Sequence, residues 1–230
     1  RCGPAPLMDN GAAAGKAVLA ASRTSPTCPP PPSPPAMHTT TMDTLLARVR
    51  ACQLCAAHLP HGPRPVLQAH ADARILIAGQ APGRKVHASG VPFDDASGER
   101  LRAWLGITRA TFYDPRQVAI LPMGFCYPGT GRTGDLPPRP ECAPAWRQPL
   151  LDHLPRLRLT LLLGQYALAW HLPGHQGTLT EAVRQWRDHG PALLALPHPS
   201  PRNNGWLSHN PWFEAELLPA LRTRVAQALA

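Results

Sequence analysis

The stretch Ile75-Leu76-Ile77-Ala78, followed at once by Gly79-Gln80-Ala81-Pro82-Gly83, decides the fold of this 230-residue chain. A short apolar run that ends at a glycine is typical of a strand buried on both faces. Three later runs have the same character and predict further strands at 118–121, 159–163 and 192–196. Helical patterns are found at 44–52 behind a cap at Asp43, after a cap at Ser97 or Asp95, and at 141–154, 165–171, 180–186 and 211–228. This alternation predicts an α/β fold, a three-layer α/β/α domain with a central four-stranded, mainly parallel sheet.

The predicted domain spans residues 42–230 and follows a Pro- and Ala-rich segment at 1–41. Nine of the 30 prolines lie in the first 36 residues, and aromatic side chains are scarce there. Such a composition buries too little apolar surface to offset the chain entropy, so the segment is predicted to be disordered. An over-extended reading frame that really starts at Met37 or Met42 is an equal alternative for this segment.

The formal charge of +9, from 23 basic and 14 acidic side chains, favours a polyanionic partner, although GC-rich codon usage would raise the arginine content as well. No uncharged apolar run approaches the roughly 20 residues that a membrane helix needs, and no secretory signal is evident. We therefore expect a cytoplasmic protein without a membrane partner. Four cysteines lie within the predicted domain, where metal ligation is favoured over disulfides; they are Cys52, Cys55, Cys126 and Cys142.

Two loops follow strands of the predicted sheet and carry unusual residues. The loop at 79–98 is rich in glycine and contains Phe93, and the loop at 197–206 holds His198 in a Pro-His-Pro-Ser-Pro frame. Ligands of parallel sheets bind beyond the carboxyl ends of the strands, so both loops are expected at the functional edge. Neither loop matches the P-loop or the Rossmann glycine pattern, and ordinary turns between a strand and a helix are the alternative.

Three segments of these loops resemble the signature segments of the uracil-DNA glycosylase superfamily: Gly79-Gln80-Ala81-Pro82-Gly83, Gly90-x-Pro92-Phe93 and His198-Pro199-Ser200-Pro201. The cysteine spacing Cys52-x2-Cys55 with Cys126-x15-Cys142 resembles the iron–sulfur branch often called family four. The resemblance implies a base-excision-repair hydrolase that cleaves the N-glycosidic bond of a flipped-out deoxyuridine and acts on DNA as a monomer. It also implies a [4Fe–4S] cluster on the four cysteines, with Zn²⁺ or no metal as alternatives.

The resemblance also implies roles for single residues. His198 would donate a hydrogen bond to O2 of the base, Phe93 would stack on the base, and Gln80 would hold the base or the water. The residues expected at the base are completed by Gly79, Ala81 and Met123. Those expected at the DNA backbone are Arg84, Lys85, Ser200, Pro201 and Arg202.

The chain departs from the family pattern at two places. Relatives carry Glu where this chain has Gln80, or Asp where it has Ala81, so the acid that activates water is missing from its usual position. Asp94 is our candidate replacement, with Asp95 and His87 as alternatives. The second departure is the missing Asn before Cys126, where only the backbone N–H of Met123 or Gly124 could read the base. Another damaged base, a non-catalytic DNA- or RNA-binding protein, and a nucleotide or nucleoside hydrolase therefore stay open.

Overall fold

Four parallel strands form the central sheet of the protein, for which a computed structural model describes residues 41–132 and 134–230. The strands of the chain are β1 (Ile75–Ala78), β2 (Val118–Ile120), β3 (Thr130–Gly131), β4 (Gly134–Asp135), β5 (Leu159–Leu163) and β6 (Leu193–Leu196). The sheet has the order β2-β1-β5-β6, while β3 and β4 pair separately as an antiparallel hairpin. The expected four-stranded α/β/α architecture is confirmed. Nearly all of the segment predicted to be disordered, residues 1–40, lies outside the described residues.

The register of the sheet brings the candidate loops to one edge. Ile75 of β1 pairs with Val118 of β2 and with Leu159 of β5, so the three strands start side by side. Because they run in the same direction, they also end side by side, and the segments that follow them leave from the same edge. Because β6 pairs in parallel with β5, the loops after β1 and β6 leave from the same edge of the sheet, with β5 between their strands.

Helices cover both faces of this sheet, because alternate strand residues point to opposite sides. On one face, Ile75 and Ile77 share an apolar core with side chains such as Leu101 and Leu221. On the other face, Leu76 belongs to a second core. The helices are α1 (Met42–Arg50), α2 (Arg84–Ser89), α3 (Ala96–Leu105), α4 (Arg109–Tyr113), α5 (Cys142–Asp152), α6 (Gln165–His171), α7 (Leu179–Arg184), α8 (Asn204–His209) and α9 (Leu218–Leu229). Helices α1 and α5 pack on each other over the second core.

The structure corrects the sequence-based helix pattern in three respects. Thr41, not Asp43, caps α1, because its hydroxyl accepts a hydrogen bond from Thr44 N. The short helices α2, α4 and α8 were not predicted, since five or six residues are too few to show a helical period. The closing helix begins with a π-helical turn at Phe213–Leu217. Of the two caps predicted for α3, Ser97 and Asp95, the structure shows Asp95.

Candidate active site and cysteine pocket

The loops that follow β1 and β2 are joined by backbone hydrogen bonds. Met123 N donates to Gly79 O at 2.8 Å, and Gly124 N donates to Gln80 O at 2.9 Å. Both N–H groups are thereby used inside the protein. The expectation that one of them is free to read the Watson–Crick edge of a base is therefore wrong.

Gln80 connects the loop after β1 to the segment that follows the β3–β4 hairpin. Its side-chain Nε2 donates to Leu136 O at 2.9 Å, and Leu136 N in turn donates to Gly129 O at 2.9 Å. The side chain is half-buried, and its Oε1 accepts no hydrogen bond from the described residues. Gln80 thus fixes the position of the hairpin and keeps one acceptor for a ligand. The neighbouring Ala81 is half-buried in the same loop.

Phe93 lies next to Gly79 in a conformation that the surrounding backbone enforces. Its φ of 54° is the only positive value at a residue other than glycine in the described part of the chain. A Cβ built on Gly79 would lie 3.8 Å from Phe93 Cζ, so the ring contacts the backbone of the β1 loop. Tyr113 Oη donates to Pro92 O at 2.9 Å and holds the preceding residue in place. The ring is therefore a fixed flat surface at the carboxyl end of β1.

His198 is partly buried beyond the end of β6, between the buried prolines 197 and 199. Its Nδ1 accepts a hydrogen bond from Ser200 N at 3.2 Å, and its carbonyl oxygen accepts one from Asn203 Nδ2 at 2.7 Å. Burial lowers the pKa of His198, while Asp95 and Asp135 act in the opposite direction. Because Nδ1 is an acceptor, the proton of the neutral ring sits on Nε2. His198 is thus a neutral donor, and no hydrogen bond to another described residue uses its Nε2–H.

The acidic residues near this site have different surroundings. Asp94 forms an ion pair with Arg109 at 3.5 Å, and Asp95 Oδ1 accepts the cap hydrogen bond from Gly98 N at 3.0 Å. Asp135 was not among the predicted site residues, although it lies in the Gly/Pro-rich segment that follows β2. The carboxylates whose charge raises the pKa of His198 are those of Asp95 and Asp135. Asp94, the predicted acid, is instead paired with Arg109 of α4.

The predicted DNA-contacting residues line this edge. Arg84 and Lys85 open α2 with exposed side chains, while Pro201 and Arg202 form an exposed turn whose cap is Ser200. A further arginine, which the sequence did not single out, supports that turn. Arg100 donates to Ser200 O at 3.1 Å and to Asn204 Oδ1 at 2.8 Å, so α3 and the His198 loop are tied together.

All four predicted cysteine ligands line one pocket, whose empty volume is about 400 Å³ including the space open to solvent. They come from three separate parts of the chain: the end of α1, the loop after β2 and the start of α5. Phe125 N lies 3.4 Å from Cys142 Sγ, and Trp146 Nε1 lies 3.3 Å from Cys52 Sγ. As the described side chains stand, no three or more of the His, Cys, Asp and Glu residues form a group that could hold a metal ion.

The chemistry of this pocket suits a soft cation. Burial, followed by the mutual repulsion of the thiolates, raises the pKa of Cys126 to about 11 and that of Cys142 to about 12. These two thiols are therefore protonated on their own, and their thiolates would form only with a positive group beside them. An all-sulfur donor set with N–H groups directed at the sulfurs fits an iron–sulfur cluster.

A buried arginine connects the pocket with the active-site edge. Arg147 of α5 is 1% exposed, and it donates to Leu121 O at 2.9 Å and to His171 Nε2 at 2.6 Å. No acidic side chain pairs with this guanidinium among the described residues. Burial lowers the pKa of Arg147 to about 10 and that of His171 to about 4, so the histidine is neutral.

Comparison with known proteins identifies the family to which these loops and cysteines belong. A family model described as the uracil DNA glycosylase superfamily matches residues 67–222, which run from just before β1 into α9. The chain belongs to the uracil DNA glycosylase superfamily. The part that matches the uracil DNA glycosylases contains both candidate loops, Cys126 and Cys142, while Cys52 and Cys55 precede it.

One curated relative within this superfamily is the type-4 uracil-DNA glycosylase of Thermotoga maritima. It is 28% identical over 145 residues, which are 61% of this chain and 70% of that protein. Both findings bear out the resemblance that the loop motifs and cysteine spacing predicted. In the part of the chain that the structure describes, no helix is long and apolar enough to cross a membrane.

Proposed function

We propose that this protein is a DNA glycosylase that hydrolyses the N-glycosidic bond of a flipped-out uracil, or of a related deaminated base, in base-excision repair. The superfamily membership and the name of the Thermotoga relative support this activity. The observation that carries the proposal is the state of His198. It is a neutral imidazole whose Nδ1 is occupied by Ser200 N, which leaves Nε2–H as a donor.

That donor has a direct use in the reaction. When the glycosidic bond breaks, negative charge develops on the leaving base, and a fixed N–H at O2 stabilises this charge more than it stabilises the ground state. The rigid ring of Phe93 would stack on the base beside Gly79. The free Oε1 of Gln80 would accept a hydrogen bond from an imide N–H, a group that normal cytosine lacks.

The basic residues at the same edge would hold the DNA. Arg84 and Lys85 extend from α2, and the turn with Ser200, Pro201 and Arg202 extends from the His198 loop. Contacts with the phosphates offset the few kcal/mol that flipping a nucleotide costs. We expect a monomer to suffice for this task, since one chain presents both loops.

We propose that Cys52, Cys55, Cys126 and Cys142 hold a [4Fe–4S] cluster with a structural role. The cluster would tie the segment after α1 to the β2 loop and to α5. Around one tetrahedral zinc ion the sulfurs lie only about 3.8 Å apart, given Zn–S bonds of about 2.3 Å, whereas a cluster separates its thiolates further. The four cysteines line one pocket, and their spacing, which resembles that of the iron–sulfur branch, favours the cluster over zinc. The uncompensated charge of Arg147 suits the excess negative charge of a four-thiolate centre.

Metal analysis tests the cofactor independently of activity. We expect about four irons and four acid-labile sulfides per chain after anaerobic purification, with absorbance near 400 nm. The matched variant Cys142→Ser should lose this absorbance, whereas Cys2→Ser should keep it. One zinc per chain and no colour would reject the cluster in favour of the alternative metal.

Oligonucleotides with a single uracil, hypoxanthine or xanthine, in single and double strands, test the proposed function. Alkaline cleavage of the products would reveal abasic sites, and we expect them with at least one of these bases. His198→Ala should lower the single-turnover rate by about 100-fold or more, because removal of such a donor costs that much in comparable sites.

A second candidate is a DNA-binding protein that does not cleave, and the absence of an acid at positions 80 and 81 favours it. If the wild-type protein binds these oligonucleotides and removes none of the bases, this candidate replaces the glycosylase. Cleavage of free nucleosides without any cleavage of DNA would instead indicate a nucleoside hydrolase.

A further inference from the structure

We propose that Asp135, on the β3–β4 hairpin, is the carboxylate that orients the attacking water and accepts its proton. This inference rests on the proposed glycosylase function and names the acid that the β1 loop itself lacks. The superfamily match does not point to this residue, which stands on a different segment from positions 80 and 81.

The hairpin that carries Asp135 is anchored to the active-site edge. Its two strands pair through Thr130 and Asp135, and the residue after it accepts the hydrogen bond from Gln80 Nε2 at 2.9 Å. Tyr127, whose side chain is 1% exposed, hydrogen-bonds the hydroxyl of Thr130 from below. The position of the hairpin is therefore determined by the β1 loop and by the core.

The carboxylate of Asp135 lies between the two candidate loops. A Cβ built on Gly83, at the end of the β1 loop, would lie 3.3 Å from Asp135 Oδ2. A Cβ built on the adjacent Gly134 would lie 2.6 Å from Arg202 Nη1, which belongs to the His198 loop. The charge of Asp135 also reaches His198, because it raises the pKa of that histidine.

The surroundings of the other nearby acids leave them less suited to this task. Asp94 is paired with Arg109, and Asp95 uses Oδ1 as the cap of α3. Among the described residues, no donor or cation binds the carboxylate of Asp135, which is exposed to solvent. An uncommitted carboxylate placed over the β1 loop is available as a hydrogen-bond acceptor for water.

The chemical step balances without any further reactant. The water oxygen forms a bond to C1′ of the deoxyribose while the bond from C1′ to the base nitrogen breaks. The electron pair of that bond leaves with the base, whose O2 accepts the hydrogen bond from His198 Nε2–H. The proton of the water passes to Asp135, which then releases it to solvent, while the released base anion takes up a proton from solvent.

Single-turnover excision of the best base from the panel tests this assignment. We expect Asp135→Asn to lower the rate by about 100-fold or more, as loss of a general base does. The affinity for DNA should stay the same or increase, because the variant removes a negative charge. Asp152→Asn, which alters an exposed acid at the end of α5, is the matched control and should leave the rate unchanged.

Formate provides a readout that a structural role would not change. In Asp135→Ala, millimolar formate should restore part of the rate, because a small carboxylate can occupy the vacated space. Formate should not affect Asp152→Ala.

A rate for Asp135→Asn within about threefold of wild type would overturn the assignment while leaving the glycosylase intact. It would equally be overturned by a large loss in Asp95→Asn alone, since asparagine preserves the helix cap. Loss of DNA binding without rescue would make Asp135 a binding residue, and an inactive wild type would reject both proposals.

Discussion

A single backbone hydrogen bond determines what His198 can do. Ser200 N occupies Nδ1, so the neutral ring carries its proton on Nε2. Burial keeps the ring neutral by lowering its pKa, and the carboxylates of Asp95 and Asp135 oppose that effect without reversing it. The prolines on both sides restrict the loop, which reduces the entropy lost when His198 meets a ligand.

The ionisation of His198 should respond to the two acids in a defined direction. A ¹⁵N-detected NMR titration of the free protein should give a midpoint below 6.5, the usual value for histidine. Asp135→Asn and Asp95→Asn should each lower the midpoint further, because each carboxylate favours the charged ring. Asp152→Asn is the control, and we expect no change with it. A midpoint above 6.5, or a proton on Nδ1, would contradict the neutral-donor assignment.

The element that presents Phe93 depends on a close approach between backbones. The segment enters α3 through the cap of Asp95, and Gly98 in the first turn of that helix packs against the carbonyl of Phe93. A Cβ built on Gly98 would lie 1.8 Å from Phe93 O, which no side chain tolerates. The helix therefore holds the ring in place only because residue 98 has no side chain.

Gly98→Ala should consequently displace Phe93 and weaken its contact with Gly79. We expect a loss of stability of about 1–3 kcal/mol, as for overpacked sites, together with a fall in single-turnover excision. Gly205→Ala is the matched control: its Cβ would meet nothing within 4 Å, and alanine is the better helix former in α8. Urea unfolding of both variants gives the measurement. Equal stability of the two would contradict the close approach.

At the scale of the whole molecule, Arg147 joins three parts of the fold. It binds the carbonyl of Leu121 at the end of the β2 region, belongs to α5 beside the cysteine pocket, and reaches His171 at the end of α6. A buried guanidinium costs free energy unless hydrogen bonds satisfy it, and here neutral acceptors do so. Arg147 therefore ties α5, the helix that supplies Cys142, to the segment after β2 and to α6.

The hydrogen bond between Arg147 and His171 should make the folded state sensitive to acid. The pKa of His171 is about 4 in the folded protein, against about 6.5 when unfolded, so the unfolded state binds the proton first as the pH falls. When the pH is lowered from 7.5 to 5, protonation of this histidine in the unfolded state should reduce the free energy of unfolding by about 2 kcal/mol. The reduction continues until the pH falls below about 4. His171→Gln can still accept from Arg147 and should remove this part of the pH dependence. Urea titrations at both pH values measure it, and an unchanged slope in the variant would contradict the role of His171.

The strands, the layers of the fold and the identity of the loops all follow from the amino-acid sequence. Apolar runs such as Ile75–Ala78 carry their own signal, since strands of a parallel sheet covered on both faces are apolar on both sides. The motif around His198 and the cysteine spacing can be read directly from the chain, and they pointed to the superfamily that the comparison then showed.

Tertiary structure alone decided which groups meet. Asp94 and Asp135 are both acids in loops of the chain, and only the folded arrangement pairs the first with Arg109 and brings the second over Gly83. Likewise the N–H groups of Met123 and Gly124 look free in the sequence but bind the carbonyl oxygens of the β1 loop. Arg147 gave no sequence signal at all, because burial and hydrogen-bond partners arise from contacts between residues far apart in the chain. Local pattern therefore sets the elements, whereas long-range packing sets the chemistry of the site.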